Sequence, residues 1–108
     1  MQDTLQTLYE VVKSRKETPQ EGSYTCYLFE KGLDKILKKC GEECSEVIIA
    51  AKNGKAEDTE NELCDLLYHL MVLMVEQNIP LDAVDAILRE RAKKIGNLKT
   101  FHVSDHNT

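Results

Sequence analysis

An all-α fold, a helical bundle completed by homodimerisation, is predicted for this chain by three observations. Apolar residues recur at helical spacing along most of its length, and no segment offers itself as a second strand to pair with. Breaker residues (Pro19 and Gly22, Asn53-Gly54, Asn78-Ile79-Pro80) divide the pattern into helix-sized pieces. Leu63 to Val75 is apolar at nearly every position, which belongs in a core or against partner helices. Short helices of one chain do not easily cover such a segment, so two copies are expected to complete the bundle.

Taken in order, Leu5, Leu8, Tyr9 and Val12 mark an amphipathic helix over 3–13, and 14–23 reads as a loop. Residues 24–28 (YTCYL) suit a strand or a helix locally, and an extended linker or first helical turn is favoured. From Phe29 to Lys52 one helix is expected, with Leu33, Ile36, Leu37, Cys40, Cys44, Val47, Ile48 and Ala51 as its core stripe. Gly32 and Gly41 are poor helix formers within it, and Gly41, beside acids, asks for a packing or ligand reason. Asn53-Gly54 provides a left-handed cap. The next helix runs from about 57–59 to Gln77, and a last one from Leu81 to about Ile95 turns Val84, Ile87, Leu88 and Ala92 inward. The expected organisation is one domain over 1–95 and a polar, mobile tail over 96–108.

The 108 residues carry a net charge of -5, and the pI is near 5.2. That balance argues against a nucleic-acid partner, which calls for a basic face. No apolar run reaches the length of a membrane span, and the N-terminus lacks the basic and apolar regions of a signal peptide, so a cytoplasmic protein is expected. Cys26, Cys40, Cys44 and Cys64 show no closely spaced pair, and read better as reduced, small core residues than as zinc ligands or disulfides.

Chemistry enters with the acids. Glu43 and Glu46 form E-x2-E, and after residues 47–61 Glu62 and Asp65 form E-x2-D. Residues three apart share a helical face, and a helical hairpin brings the two pairs level. Four carboxylates so gathered repel one another unless a cation compensates. An all-oxygen donor set suits a hard ion, and Mg²⁺ takes carboxylates together with substrate phosphates. Phosphates also need cations, and Arg15, Lys16, Lys31, Lys35, Lys38 and Lys39 lie nearby in sequence.

Each residue has a plainer reading. Thr59 to Glu62 fits a capping box; Glu43 can pair with Lys39 and Glu42 with Lys38 on the surface. Asp65 can hydrogen-bond His69 one turn on, and any single lysine is better explained as solvated surface.

The run EECSE followed by ELCDLLYHL resembles the signature of the all-α NTP pyrophosphohydrolases, the MazG-like superfamily. Within it, residues 21–43 (EGSYTCYLFEKGLDKILKKCGEE) and 65–73 (DLLYHLMVL) resemble the phosphoribosyl-ATP pyrophosphohydrolase family of histidine biosynthesis, over about residues 5–92. The resemblance implies hydrolysis of 1-(5-phosphoribosyl)-ATP to 1-(5-phosphoribosyl)-AMP and pyrophosphate with Mg²⁺, by a stand-alone, dimeric helical enzyme. It makes Glu43, Glu46, Glu62 and Asp65 the metal ligands, with Glu42 orienting water or a second ion. Lys31, Lys35, Lys38 and Lys39 become phosphate or ribose contacts, and Ser23, Tyr24 and Thr25 line the substrate side. Two alternatives stand beside it: a house-cleaning pyrophosphatase using the same acids on free or modified nucleotides, and a non-enzymatic helical dimerisation module.

Overall fold

The structure, a computed structural model, describes residues 2–97. Five helices and no strand occur among them: α1 (Gln2–Glu17), α2 (Tyr24–Lys31), α3 (Leu33–Asn53), α4 (Ala56–Glu76) and α5 (Leu81–Asn97). None is long and apolar enough to cross a membrane.

Helix α1 runs beyond the expected Lys13, and the loop begins only at Thr18. Arg15 and Lys16 sit in its last turn, where cations complement the negative end of the helix dipole, and the Thr18 N–H closes that turn on the Ser14 carbonyl at 2.8 Å. The ambiguous segment is α2, because the Ser23 hydroxyl caps it by accepting from the Cys26 N–H at 3.2 Å. The single helix expected from Phe29 to Lys52 is in fact two. Gly32, at φ 93° and ψ −173°, breaks it in a conformation that side chains with a Cβ avoid. Gly54 ends α3 in the left-handed region, its N–H on the Ala51 carbonyl.

The capping-box reading of Thr59 and Glu62 is overturned. Helix α4 starts at Ala56 after Lys55, with Glu57 and Asp58 complementing its positive end, and the Thr59 hydroxyl donates back to the Lys55 carbonyl at 3.4 Å. Glu62 therefore lies well inside the helix rather than at its mouth. Asn78 (φ 59°) turns the chain towards α5, and the Ile79 carbonyl there accepts from the Tyr9 hydroxyl at 2.8 Å.

Helices α3 and α4 form the central hairpin, with α1 and α2 packed against it. Tyr9, Val12, Leu28, Ile36, Cys40, Met71, Val72 and Val75 make the core. Val12, Leu28, Ile36 and Val72 are wholly enclosed, each contributing about 1.5–3 kcal/mol of apolar burial. Lys16 reaches Glu76 at 3.2 Å across α1 and α4, a half-exposed pair worth about 1 kcal/mol at most.

Much of the expected core stripe of α3 is not covered by the described residues. Ile36 and Cys40 are buried, but Leu33, Leu37, Cys44 and Ala51 are exposed and Ile48 keeps 64% of its surface. Ile49, at 56%, lies on the same open side as Ile48. The expected inward residues of α5 fare likewise: Val84 is half-buried, whereas Ile87, Leu88 and Ala92 face solvent. Among the described residues of that helix, Leu81 packs against the core. Cys44 and Cys64 are exposed too, so the small-core reading holds for Cys40 but not for them. A Cβ on Gly41 would meet nothing within 4 Å, so no packing inside the chain demands glycine there. Residues 96 and 97, assigned to the tail, extend α5; the remainder of that tail lies outside the described residues.

Candidate functional site

The α3–α4 hairpin fixes the acids because its turn is short: α3 ends at Asn53, Gly54 reverses the chain, and α4 begins at Ala56. Residues on either side of the turn thus face each other across the two helices. A carboxylate oxygen from each of Glu43, Glu62 and Asp65 falls within 4.8 Å of the others. Glu43 and Glu62 are half-buried there and Asp65 is exposed. Glu46, the fourth expected acid, stands outside that focus, one turn along α3. It shares with Glu62 an adjoining cleft of about 280 Å³, lined also by Asp58 and Asn61.

The crowding registers on Glu62. Partial burial, and then the charges of Glu46, Asp65 and Glu43, push its carboxyl above the usual range. Three acids with a common focus, one of them holding its proton more tightly than usual, are what an oxygen-ligated divalent cation would relieve. The donor set contains no sulfur or imidazole, which suits a hard ion rather than zinc.

Two plainer readings change on inspection. Lys39 is 3.2 Å from Glu42 and 3.9 Å from Glu43, so Glu42 pairs with Lys39 rather than with Lys38. This contact holds the Glu42 carboxyl below its ordinary range and raises the Lys39 ammonium. The Asp65–His69 bond exists, but through the backbone: His69 Nδ1 lies 2.7 Å from the Asp65 carbonyl oxygen. The Asp65 carboxylate is left for the acid cluster.

The residues expected on the substrate side divide into two groups. Ser23, Tyr24 and Thr25 occupy the N-terminal end of α2, beside a cleft of about 640 Å³ lined by Pro19, Gln20, Tyr24 and Tyr27 among others. Tyr24 is near enough to the acids for the charges of Lys39 and Glu43 to act on its hydroxyl, which burial raises above the ordinary phenol value. The Ser23 hydroxyl is occupied as a cap, and that of Thr25 bonds Tyr68. Among the lysines, Lys39 adjoins the acids, Lys35 is half-buried on the same helix, Lys38 is exposed, and Lys31 lies over the Tyr27 ring at 5.7 Å.

Sequence reasoning missed Asp58 and Asn61, which line the cleft beside Glu62, and the contacts of Tyr68 and His69 with the first turn of α2. A signal existed: Asp58, Glu62, Asp65 and His69 follow one another at steps of four, three and four, a single face of α4.

Comparison with known proteins gives the family. Residues 5–92 match the family described as Phosphoribosyl-ATP pyrophosphohydrolase. A protein of Clostridium botulinum named "Phosphoribosyl-ATP pyrophosphatase" is 58% identical over 97 residues, covering 90% of this chain and 88% of the relative. Proteins of the same name from Listeria welshimeri and Bacillus cytotoxicus are 58% and 52% identical over 95 residues, covering 88% of this chain and 91% and 89% of theirs. The chain belongs to the phosphoribosyl-ATP pyrophosphohydrolase family.

Proposed function

We propose that this member of the phosphoribosyl-ATP pyrophosphohydrolase family hydrolyses 1-(5-phosphoribosyl)-ATP to 1-(5-phosphoribosyl)-AMP and pyrophosphate in histidine biosynthesis. The observation that carries the reading is the convergence of Glu43, Glu62 and Asp65 within 4.8 Å on the α3–α4 hairpin, in a chain whose relatives bear that activity in their name. A residue set of this kind fits Mg²⁺. Glu43, Glu62 and Asp65 would hold the ion, with Glu46, which lines a cleft with Glu62, as the fourth candidate ligand. When bound, the ion supplies neutralising charge to the triphosphate at the α–β anhydride.

The rest falls to the chain's own groups. Glu42, tied to Lys39, orients water towards the anhydride or supports a second ion. Lys39, with Lys35 and Lys38 on α3 and Lys31 at the end of α2, offsets charge on the departing pyrophosphate. Ser23, Tyr24 and Thr25 form the substrate-facing turn. No step calls for a covalent nucleophile, because a phosphoanhydride yields to water once its charge is offset and the attacking oxygen is placed.

The functional unit is a homodimer. The described residues of a single chain leave Leu37, Ile48 and Ile49 of α3 and Ile87 and Leu88 of α5 in water, and a second copy laid on these faces completes the bundle. Light scattering at micromolar concentration should give twice the chain mass, and Ile48→Asp should move it towards one.

The deciding assay is pyrophosphate release from phosphoribosyl-ATP with and without a chelator. Release that depends on the cation and exceeds that from ordinary nucleoside triphosphates supports the reading. Equal turnover of free nucleotides would point instead to the house-cleaning activity. No turnover of either, and no thermal shift with Mg²⁺ and nucleotide, would leave a dimerisation module.

A further inference from the structure

His69 is 5% exposed, yet both of its ring nitrogens are partnered. Nδ1 faces the Asp65 carbonyl at 2.7 Å, and a carbonyl can only accept, so Nδ1 carries the proton. In the neutral ring Nε2 is then an acceptor, and it takes the O–H of Tyr24 at 3.0 Å. One residue on, the Thr25 hydroxyl bonds that of Tyr68. Two adjacent residues of the first turn of α2 are thus strapped to two adjacent residues of α4, directly after the turn that bears Asp65. The rings reinforce this: Tyr24 meets His69 edge-on at 5.8 Å between centroids, and Tyr68 meets it at 4.9 Å. Tyr24 itself remains 45% exposed. Its tip is tethered while part of its ring is open beside Lys39 and Glu43, whose charges reach it.

We propose that His69 is a positioning residue: by holding the Tyr24 hydroxyl it keeps the substrate-facing turn of α2 in register with the carboxylates of α3 and α4. The role rests on the proposed function, since it acts only if that turn meets substrate. Both ring nitrogens of His69 are already partnered, so it works through Tyr24. A histidine that serves only the core would lower stability when replaced and leave substrate binding alone.

The test compares Tyr24→Phe, His69→Asn, the double variant and His69→Gln, with Asp65→Asn as the reference for the acid site. Tyr24→Phe keeps the ring and removes one hydrogen bond, so KM for phosphoribosyl-ATP should rise about fivefold while kcat stays within about twofold. His69→Asn retains a donor for the Asp65 carbonyl but loses the acceptor, and should do the same. The double variant should be no worse than either single one, because the two act through one bond. His69→Gln, whose amide oxygen can stand where Nε2 stood, should recover most of the loss. Mn²⁺ affinity, read by titration without substrate, should be unchanged in the Tyr24 and His69 variants. If Tyr24→Phe keeps the parental KM, or if the two single effects multiply, while Asp65→Asn is inactive, the positioning role alone is overturned. If Asp65→Asn turns over at the parental rate, the acid-site reading falls and this proposal falls with it.

Discussion

Replacing Glu62 by Gln should act in opposite directions with and without metal, and no purely structural role for this residue predicts that reversal. Glu62 lies inside α4, one turn beyond Thr59 and clear of the Lys55 cap, so the exchange disturbs no helix start. Its carboxylate shares a 4.8 Å focus with Glu43 and Asp65, and its proton is held more tightly than usual. A raised folded-state value means that the native state is favoured below the ordinary carboxylate range and loses that advantage as pH rises through the raised value. The metal-free parent should therefore be penalised near neutral pH by a repulsion that Gln does not feel. Metal-free Glu62→Gln should melt at or above the parent at pH 7, with the difference shrinking towards pH 4.

With metal the order inverts. At a free Mg²⁺ concentration a hundred times its dissociation constant the parent gains about 2.7 kcal/mol, about 10 °C in a domain of this size. The variant, short of one charged ligand, should show a small fraction of that shift and little pyrophosphate release. The measurement is a thermal melt across pH 4–8, with and without Mg²⁺, beside the pyrophosphate assay. A variant with the parental metal shift, or one that is much less stable without metal, would refute the reasoning.

Other outcomes follow from the packing and the caps. Ile36→Ala, at a position with no exposed surface, should cost about 2–5 kcal/mol in denaturant unfolding, whereas Ile48→Ala should cost far less in any monomeric form. Gly54→Ala forces a Cβ into φ 83° and should cost about 1–2 kcal/mol, with the loss shared by metal affinity because this turn sets the hairpin. Thiol labelling should discriminate the cysteines: burial pushes the Cys40 thiol up, whereas the Ser23 hydroxyl and the Gln20 N–H draw that of Cys26 down. Near neutral pH iodoacetamide should modify Cys26 well before Cys40, as read by peptide mass.

The hairpin and its acids were legible because their signals are local. Asn53-Gly54 states its own turn, and helical periodicity suffices to face Glu43 with Glu62 and Asp65, although Glu46 stands one turn outside their focus. Where competing local signals met, the reading slipped. Thr59 with Glu62 imitates a helix start, but Glu57 and Asp58 let α4 begin a turn earlier, and the break at Gly32 left no mark beyond one glycine. Exposure was the least legible property. Periodicity marks Leu37, Ile48, Ile87 and Leu88 as wanting cover without saying which chain supplies it. The His69–Tyr24 bond joins residues 45 positions apart, which no helical repeat can foretell.

The reversal at Gly54 has a consequence for how the molecule comes into being. All three converging oxygens lie between residues 43 and 65, so the ring that a cation would close spans a brief stretch of chain, and loop closure costs little over so few residues. Those donors all precede α5 in the chain, so they emerge from the ribosome before it does. An ion captured then would act as a clasp on a newborn hairpin, and the rest of the chain would fold around a seat already made.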